Sequence, residues 1–186
     1  MRAQIYVQMK LSNNFVLSFF GLKEGNHKFE YKIDKQFFEF FGFDEFLIAD
    51  FKVTLEFIKK STLLELYFSS QGKATVACDV TNEPFELPIE GALSLVVKFG
   101  EEFNNDNEEV LILPHGEHQL DLSQYIYEMI VLAVPQKKLH PGIEDGTLQS
   151  DMLKKLEELS PDKNKEINDT DPRWDDLKKL LIDKKK

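Results

Sequence analysis

Apolar and polar residues alternate along most of the first 100 positions, which is the pattern of strands that bury one face. The alternating stretches are residues 3–11, 29–33, 51–57, 64–68, 74–78 and 85–99. Residues 59–62 and the pair Gln71-Gly72 have turn-like composition, so the pattern predicts five or more antiparallel strands joined by short turns. Pro88 lacks an N–H group and therefore indicates an edge position for its strand.

The apolar spacing changes to a helical one near residue 122. Its apolar positions are Leu122, Ile126, Met129, Ile130 and Ala133. The order Asp121-Leu122-Ser123-Gln124 has the spacing of a capping box, and Pro135 is expected to end the helix. The predicted fold is therefore α+β, with an antiparallel β-rich body, either a sheet or an open barrel, and one helix packed on it.

The character of the chain changes after Pro135. We predict a β-rich body with its closing helix over residues 1–135, and a linker with a C-terminal helical tail over residues 136–186. Within the tail, a short helix is predicted at 150–159. A second begins near Thr170, where a cap residue, a proline and acidic residues follow one another.

Six phenylalanines lie between residues 37 and 46. As core residues, they would bury a turn or two of helix against the sheet. As an exposed patch, they would form a hydrophobic partner site or a region prone to aggregation. We expect core, and a generic protein-interaction module that uses this segment is the alternative.

Several features bound the cellular setting. The chain has no apolar run near the roughly 18 residues that span a bilayer, and its first residues alternate like a strand and do not form a signal-peptide core. With Cys78 as the single cysteine, no internal disulfide is possible. These features predict a cytoplasmic protein with no membrane partner. We also expect no small-molecule substrate.

The net charge of −10 is distributed unevenly. Residues 1–135 hold 11 Lys/Arg against 21 Asp/Glu, whereas residues 136–186 hold 12 against 12. Because nucleic-acid binding draws on cations that neutralise phosphates, an acidic body repels RNA. Any RNA contact is then local or passes through a protein partner. Basic ribosomal proteins are suitable partners on electrostatic grounds. The alternative interpretation is that the acidic surface only keeps the protein soluble.

Three segments, taken in order, resemble the YceD family, which is otherwise called a domain of unknown function. Residues 72–85 are similar to its strand–turn–strand, residues 120–135 to its helix that ends at a leucine-rich step, and Asp171-Pro172-Arg173-Trp174 with Leu177 to its terminal motif. The resemblance implies a bacterial and plastid protein needed for accumulation of large-subunit (23S) ribosomal RNA. It brings no catalytic residues with it.

One departure from the family pattern affects metal chemistry. Many members have a second cysteine where this chain has Thr81, so Cys78 is unpaired. A structural zinc site needs four ligands, mostly Cys or His. His115 and His118 are expected to lie in a surface loop. We therefore predict no metal and no cofactor, and we expect Cys78 to be a small buried side chain.

The functional prediction is a non-enzymatic assembly factor for the large ribosomal subunit. The chain has no G-x-S-x-G, P-loop or G-x-G-x-x-G motif. The expected partner is a ribosomal protein or the pre-rRNA of the large subunit, and the expected contact is the tail motif Asp171, Pro172, Arg173, Trp174 and Leu177, because Arg and Trp are frequent interface anchors. The alternatives are a tail that docks back on the body and a nuclease accessory or direct rRNA-processing protein.

Overall fold

The structure is a computed structural model that describes residues 14–107, 110–148 and 150–159 of the chain. Within these ranges the strands are β1 (Val16–Ser18), β2 (Gly25–Asp34), β3 (Ile48–Lys59), β4 (Leu63–Ala77), β5 (Pro84–Gly100), β6 (Val110–Pro114) and β7 (Gln119–Asp121). The helices are α1 (Lys35–Phe40), α2 (Ser123–Leu132), α3 (Pro141–Glu144) and α4 (Asp151–Leu159). The predicted strand at residues 3–11 lies outside the described residues.

The main sheet has five strands in the order β2-β3-β4-β5-β6, and β1 pairs with β7 in a separate two-stranded sheet. β2 to β5 are antiparallel, as the alternation predicts, but β6 runs parallel to β5, with Val96 opposite Val110. The expectation of a purely antiparallel body is wrong at this point. After Gly100 the chain first turns back, so that Asn104 lies beside Ile112, and then enters β6 in the direction of β5.

Gly72 lies inside a strand, so the predicted turn at Gln71-Gly72 is wrong. β4 is one continuous strand of 15 residues. A Cβ atom on Gly72 would lie 2.3 Å from the carbonyl oxygen of Asp50 and 2.6 Å from the Cα of Phe51 on β3. The glycine is needed here because two backbones approach closely, which is the other common reason for glycine in a strand.

The core lies on one face of the main sheet. On β3, Phe51, Val53, Leu55 and Phe57 are buried, whereas the residues between them are exposed or half-buried. The same alternation continues on β4. One face of the sheet is therefore covered, and the opposite face carries mostly polar side chains.

The phenylalanine-rich segment is part of this core, as the sequence predicts. Phe37, Phe38 and Phe46 are at most 2% exposed. The ring of Phe41 stacks on Tyr127 of α2 with 4.4 Å between the ring centroids. These aromatic contacts connect α1 and the loop after it to α2.

The apolar stripe of α2 is also confirmed, because Leu122, Ile126, Met129 and Ile130 are buried. The start of the helix differs from a capping box. The carboxylate of Asp121 accepts hydrogen bonds from the N–H and hydroxyl groups of Ser123, and the Gln124 side chain donates to Glu128. The helix therefore begins at Ser123, and Gln124 faces along the helix.

The chain divides into two compact units, Met1–Thr147 and Leu148–Lys186. The described part of the second unit contains α4, which confirms the helix predicted at residues 150–159. Its Met152, Leu156 and Leu159 side chains are at least half exposed. Among the described residues, no helix combines the length and the apolar composition that a membrane span requires.

Candidate functional site

A tight turn at residues 78–83 joins β4 to β5, within the strand–turn–strand that the sequence singles out. The N–H of Cys78 donates to the carbonyl of Glu83, and the N–H of Asn82 donates to the carbonyl of Cys78. Asn82 has a φ of 59°, a left-handed conformation that Asn tolerates better than most residues. These bonds close a compact loop around the cysteine, which we call the Cys78 turn.

The Cys78 thiol is buried, as expected from its position in the alternation, and is 2% exposed. Burial disfavours the thiolate and by itself raises the pKa of the thiol. The Thr81 hydroxyl and the backbone N–H groups of Thr81, His140 and Val80 favour the thiolate through hydrogen bonds, and together they lower the pKa of Cys78 below its ordinary value. The turn therefore surrounds the sulfur with donors.

Thr81 is one of these donors. It is 7% exposed, and its hydroxyl oxygen also accepts the N–H of Glu83 over 3.4 Å. Thr81 therefore links the cysteine sulfur to the backbone of the turn through one hydroxyl group.

The segment after α2 completes the Cys78 turn. The N–H of His140 donates to Cys78 Sγ over 3.4 Å, and its ring packs edge-on against Phe85. Asp79 and Lys138 exchange hydrogen bonds, and Lys138 Nζ lies 2.6 Å from a carboxylate oxygen of Glu45. The hydrogen bond with Glu45 is the main reason that the pKa of Lys138 is raised.

No group of three His, Cys, Asp or Glu side chains in the described part of the chain is arranged to hold a metal ion. His115 and His118 lie exposed between β6 and β7, as the sequence predicts. The His118 ring packs against Phe20 with 4.6 Å between centroids. They border an open cleft of about 600 Å³ together with Lys59, whose Nζ donates to two backbone carbonyls.

The predicted contact residues of the tail, Asp171, Pro172, Arg173, Trp174 and Leu177, lie outside the described residues. Their role as a partner site stays a prediction.

A second surface feature lies between β5 and α2, and the sequence does not single it out. This cleft of about 550 Å³ is lined by residues 90–93 of β5, by Asn105 and by the α2 residues Tyr125, Glu128, Met129 and Leu132, with Ala133 after the helix. We call it the β5–α2 cleft. The one signal that points to it is Pro88, which predicts that this part of the strand is an edge.

Comparison with known families identifies what this arrangement belongs to. Residues 66–181 match the family model described as large ribosomal RNA subunit accumulation protein YceD. Searches of the curated proteins and of the solved structures give no match. The matched range is well over half of the chain. It contains the Cys78 turn, the β5–α2 cleft and all three segments that carry the resemblance. On this match, the chain belongs to the YceD family.

Proposed function

We propose that this protein is a non-enzymatic factor that supports accumulation of large-subunit (23S) ribosomal RNA in the bacterial cytoplasm. The observation that carries the proposal is the family match over residues 66–181. The factor acts through contacts with a protein of the large subunit or with its pre-rRNA, for which the sheet body is the scaffold.

Surface charge favours a protein partner over direct RNA contact. The body up to residue 135 has 11 basic against 21 acidic side chains. Several of its lysines already have carboxylate neighbours: Lys28 and Lys52 both lie beside Glu30, and Lys73 lies beside Glu86. Such a surface offers few free cations for phosphates, whereas it attracts a basic protein segment.

A non-enzymatic role is supported by the surroundings of the one cysteine. A Cys–His nucleophilic pair needs the histidine ring to face the sulfur. His140 contacts Cys78 through its backbone N–H, while its ring Nδ1 accepts the N–H of Gly142. The buried sulfur is therefore bound by a backbone group of His140. The ring of the same histidine caps the start of α3.

The tail residues Arg173 and Trp174 are a proposed contact with the partner. The competing role is docking of the tail on the body. The full-length double variant R173A/W174A separates the two roles. The control K184A/K185A has the same number of alanine substitutions in the same tail. Lost binding to large-subunit proteins at unchanged thermal stability supports the contact, whereas a lowered melting temperature supports docking.

The test of the function itself is the steady-state ratio of mature large-subunit to small-subunit rRNA in cells depleted of the protein. We expect a selective fall of the large-subunit rRNA and its restoration by the wild-type chain. An unchanged ratio would contradict the proposal. Binding of the purified chain to an rRNA fragment with a steep salt dependence would instead favour the direct rRNA-processing alternative.

A further inference from the structure

The strand β5 has an open edge over more than half of its length. β4 pairs with it from Pro84 to Lys98, but β6 pairs with it only from Val96 onward. Residues 84–95 therefore have a strand neighbour on one side only, among the described parts of the chain. An open edge presents backbone N–H and C=O groups that can accept another strand.

The register shows which backbone groups face this edge. The carbonyl of Gly100 accepts the N–H of His115 on the β6 side, and the carbonyl of Gly91 accepts the Ser70 hydroxyl on the β4 side. Because the β4–β5 register is unbroken, even-numbered residues direct their backbone groups outward. These are the N–H and C=O groups of Glu90 and Ala92, for which no described residue is a hydrogen-bond partner, and Pro88 has no N–H to lose.

The helix α2 forms the second wall of the cleft. It lies so close to the strand that a Cβ atom on Gly91 would be 2.9 Å from the carbonyl oxygen of Met129. Beyond this contact the cleft is lined by the half-buried Tyr125 and by Leu132 at the end of the helix, which is 82% exposed, whereas Met129 is itself buried. A strand edge beside a helix with an apolar side is the arrangement in which extended peptides add to a sheet.

The charges of the cleft have one sign. Glu90 lies on the strand side and Glu128 on the helix side, both are exposed, and none of the described residues that line the cleft is Lys or Arg. Each carboxylate accepts a hydrogen bond from a neutral glutamine, Gln71 or Gln124 respectively. Neither carboxylate has its charge neutralised by these bonds, so Glu90 and Glu128 can each pair with a cation of a ligand.

We infer that the β5–α2 cleft binds an extended, lysine- or arginine-bearing segment of a protein partner by strand addition to β5. Alternate residues of the segment point either to the apolar side of α2 or to the outer face of the sheet, where Glu90 lies. Carboxylates on both walls exclude RNA phosphates, and a second copy of this chain would bring its own Glu90 to the same edge. The inference rests on the proposed function, since it names the chemistry of the partner.

The first test is a titration of the full chain, labelled with ¹⁵N, with an octapeptide of alternating lysine and valine. A peptide with glutamate in place of lysine is the matched probe. We expect the amides of Glu90 and Ala92 to shift and to exchange more slowly with the lysine peptide alone. Absence of these shifts up to about 1 mM peptide, which corresponds to the weakest useful affinity, or equal shifts with both peptides, would overturn the inference.

Variants make the titration specific. E128K should weaken binding by roughly fivefold or more, because an attractive charge becomes repulsive. A92P removes an outward N–H and should weaken it by about tenfold. E56K, the same charge reversal on β3 outside the cleft, should leave binding unchanged. If A92P fails to fold, the double variant E90K/E128K decides, since it should now prefer the glutamate peptide; continued preference for lysine would overturn the inference.

Cells separate this inference from the proposed function. In a depleted strain, E128K and A92P should fail to restore large-subunit rRNA, whereas E56K should restore it. Full restoration by folded E128K and A92P would overturn the cleft as the partner site while the proposed function stands. If depletion itself leaves the rRNA ratio unchanged, the proposed function fails, and the peptide titration still decides what the cleft binds.

Discussion

The backbone N–H of His140 donates a hydrogen bond to the Sγ of Cys78 over 3.4 Å, although the two residues are 62 positions apart. The segment that follows α2 is thus joined to the turn between β4 and β5. Asp79 and Lys138 add two further hydrogen bonds at the same place. The Cys78 turn is therefore bound by a segment that is distant in the sequence.

Replacing Thr81 by valine should raise the pKa of the Cys78 thiol. The Thr81 hydroxyl is a donor to the sulfur and favours the thiolate, and valine keeps the shape of the side chain but removes this donor. The chemical shift of the ¹³C-labelled cysteine Cβ, followed against pH, reports this one thiol, because the chain has a single cysteine. The control T54V makes the same change on β3 and should leave the titration unmoved; an equal shift in both variants would show that the hydroxyl of Thr81 has no special role.

The Cys78 thiol should also make stability depend on pH. Its pKa in the folded chain lies below the ordinary value of 9.0. Its contribution to stability is therefore complete above pH 9.0 and is lost as the pH falls through the folded pKa. The unfolding free energy of the wild type relative to C78S should rise between neutral pH and the ordinary value. A flat difference would mean that the thiol does not titrate differently on folding.

The ion pair of Lys138 and Glu45 should stabilise the position of the segment after α2. The Lys138 side chain is 19% exposed, so its pairing is partly shielded from solvent. We expect K138M and E45Q each to lower the unfolding free energy by about 1 kcal/mol, and the double variant to lose less than their sum. Chemical denaturation measures all three. K137M, a change at the exposed neighbour, should cost about 0.5 kcal/mol or less, and strict additivity of K138M and E45Q would exclude a direct interaction.

The close approach of β3 and β4 at Gly72 predicts a large effect of a single methyl group. The Cβ of G72A would overlap the carbonyl of Asp50 and the backbone of Phe51, which cannot move without distorting the sheet. We expect a loss of about 3 kcal/mol or more of unfolding free energy. G21A is the control, since a Cβ on Gly21 meets nothing within 4 Å. Equal melting temperatures of both variants would show that the two strands are further apart.

The parts of the fold that follow local periodicity could be predicted from the sequence. The alternation around Val53 and Leu55 correctly identifies both the strand and its buried face. The helical spacing of Ile126, Met129 and Ile130 correctly identifies the buried side of α2. In each case one face of the element contacts the core and the other contacts solvent, so the local order of apolar and polar residues shows both faces.

The sequence predictions are wrong where the local structure depends on residues that are distant in the chain. Glycine after glutamine is typical of a turn, which is why the sequence predicts that Gly72 lies in one. The need for glycine at this position becomes visible only from Phe51 on the neighbouring strand, whose backbone leaves no room for a Cβ atom. The parallel direction of β6 depends on how the chain turns after Gly100, which alternation does not encode. For the same reason, Thr81 and Cys78 could be recognised as a departure from the family, but the donor from His140 could not.

The most direct measurement of the central claim is a pulse-chase of newly made rRNA in cells depleted of the protein, with the wild-type chain resupplied in a parallel culture. If the protein supports accumulation of large-subunit rRNA through contacts with its partner, the large-subunit precursor should be labelled normally during the pulse. During the chase, large-subunit label should then be lost selectively, small-subunit label should be kept, and resupply should correct the loss. Equal retention of both labels in depleted cells would contradict the claim.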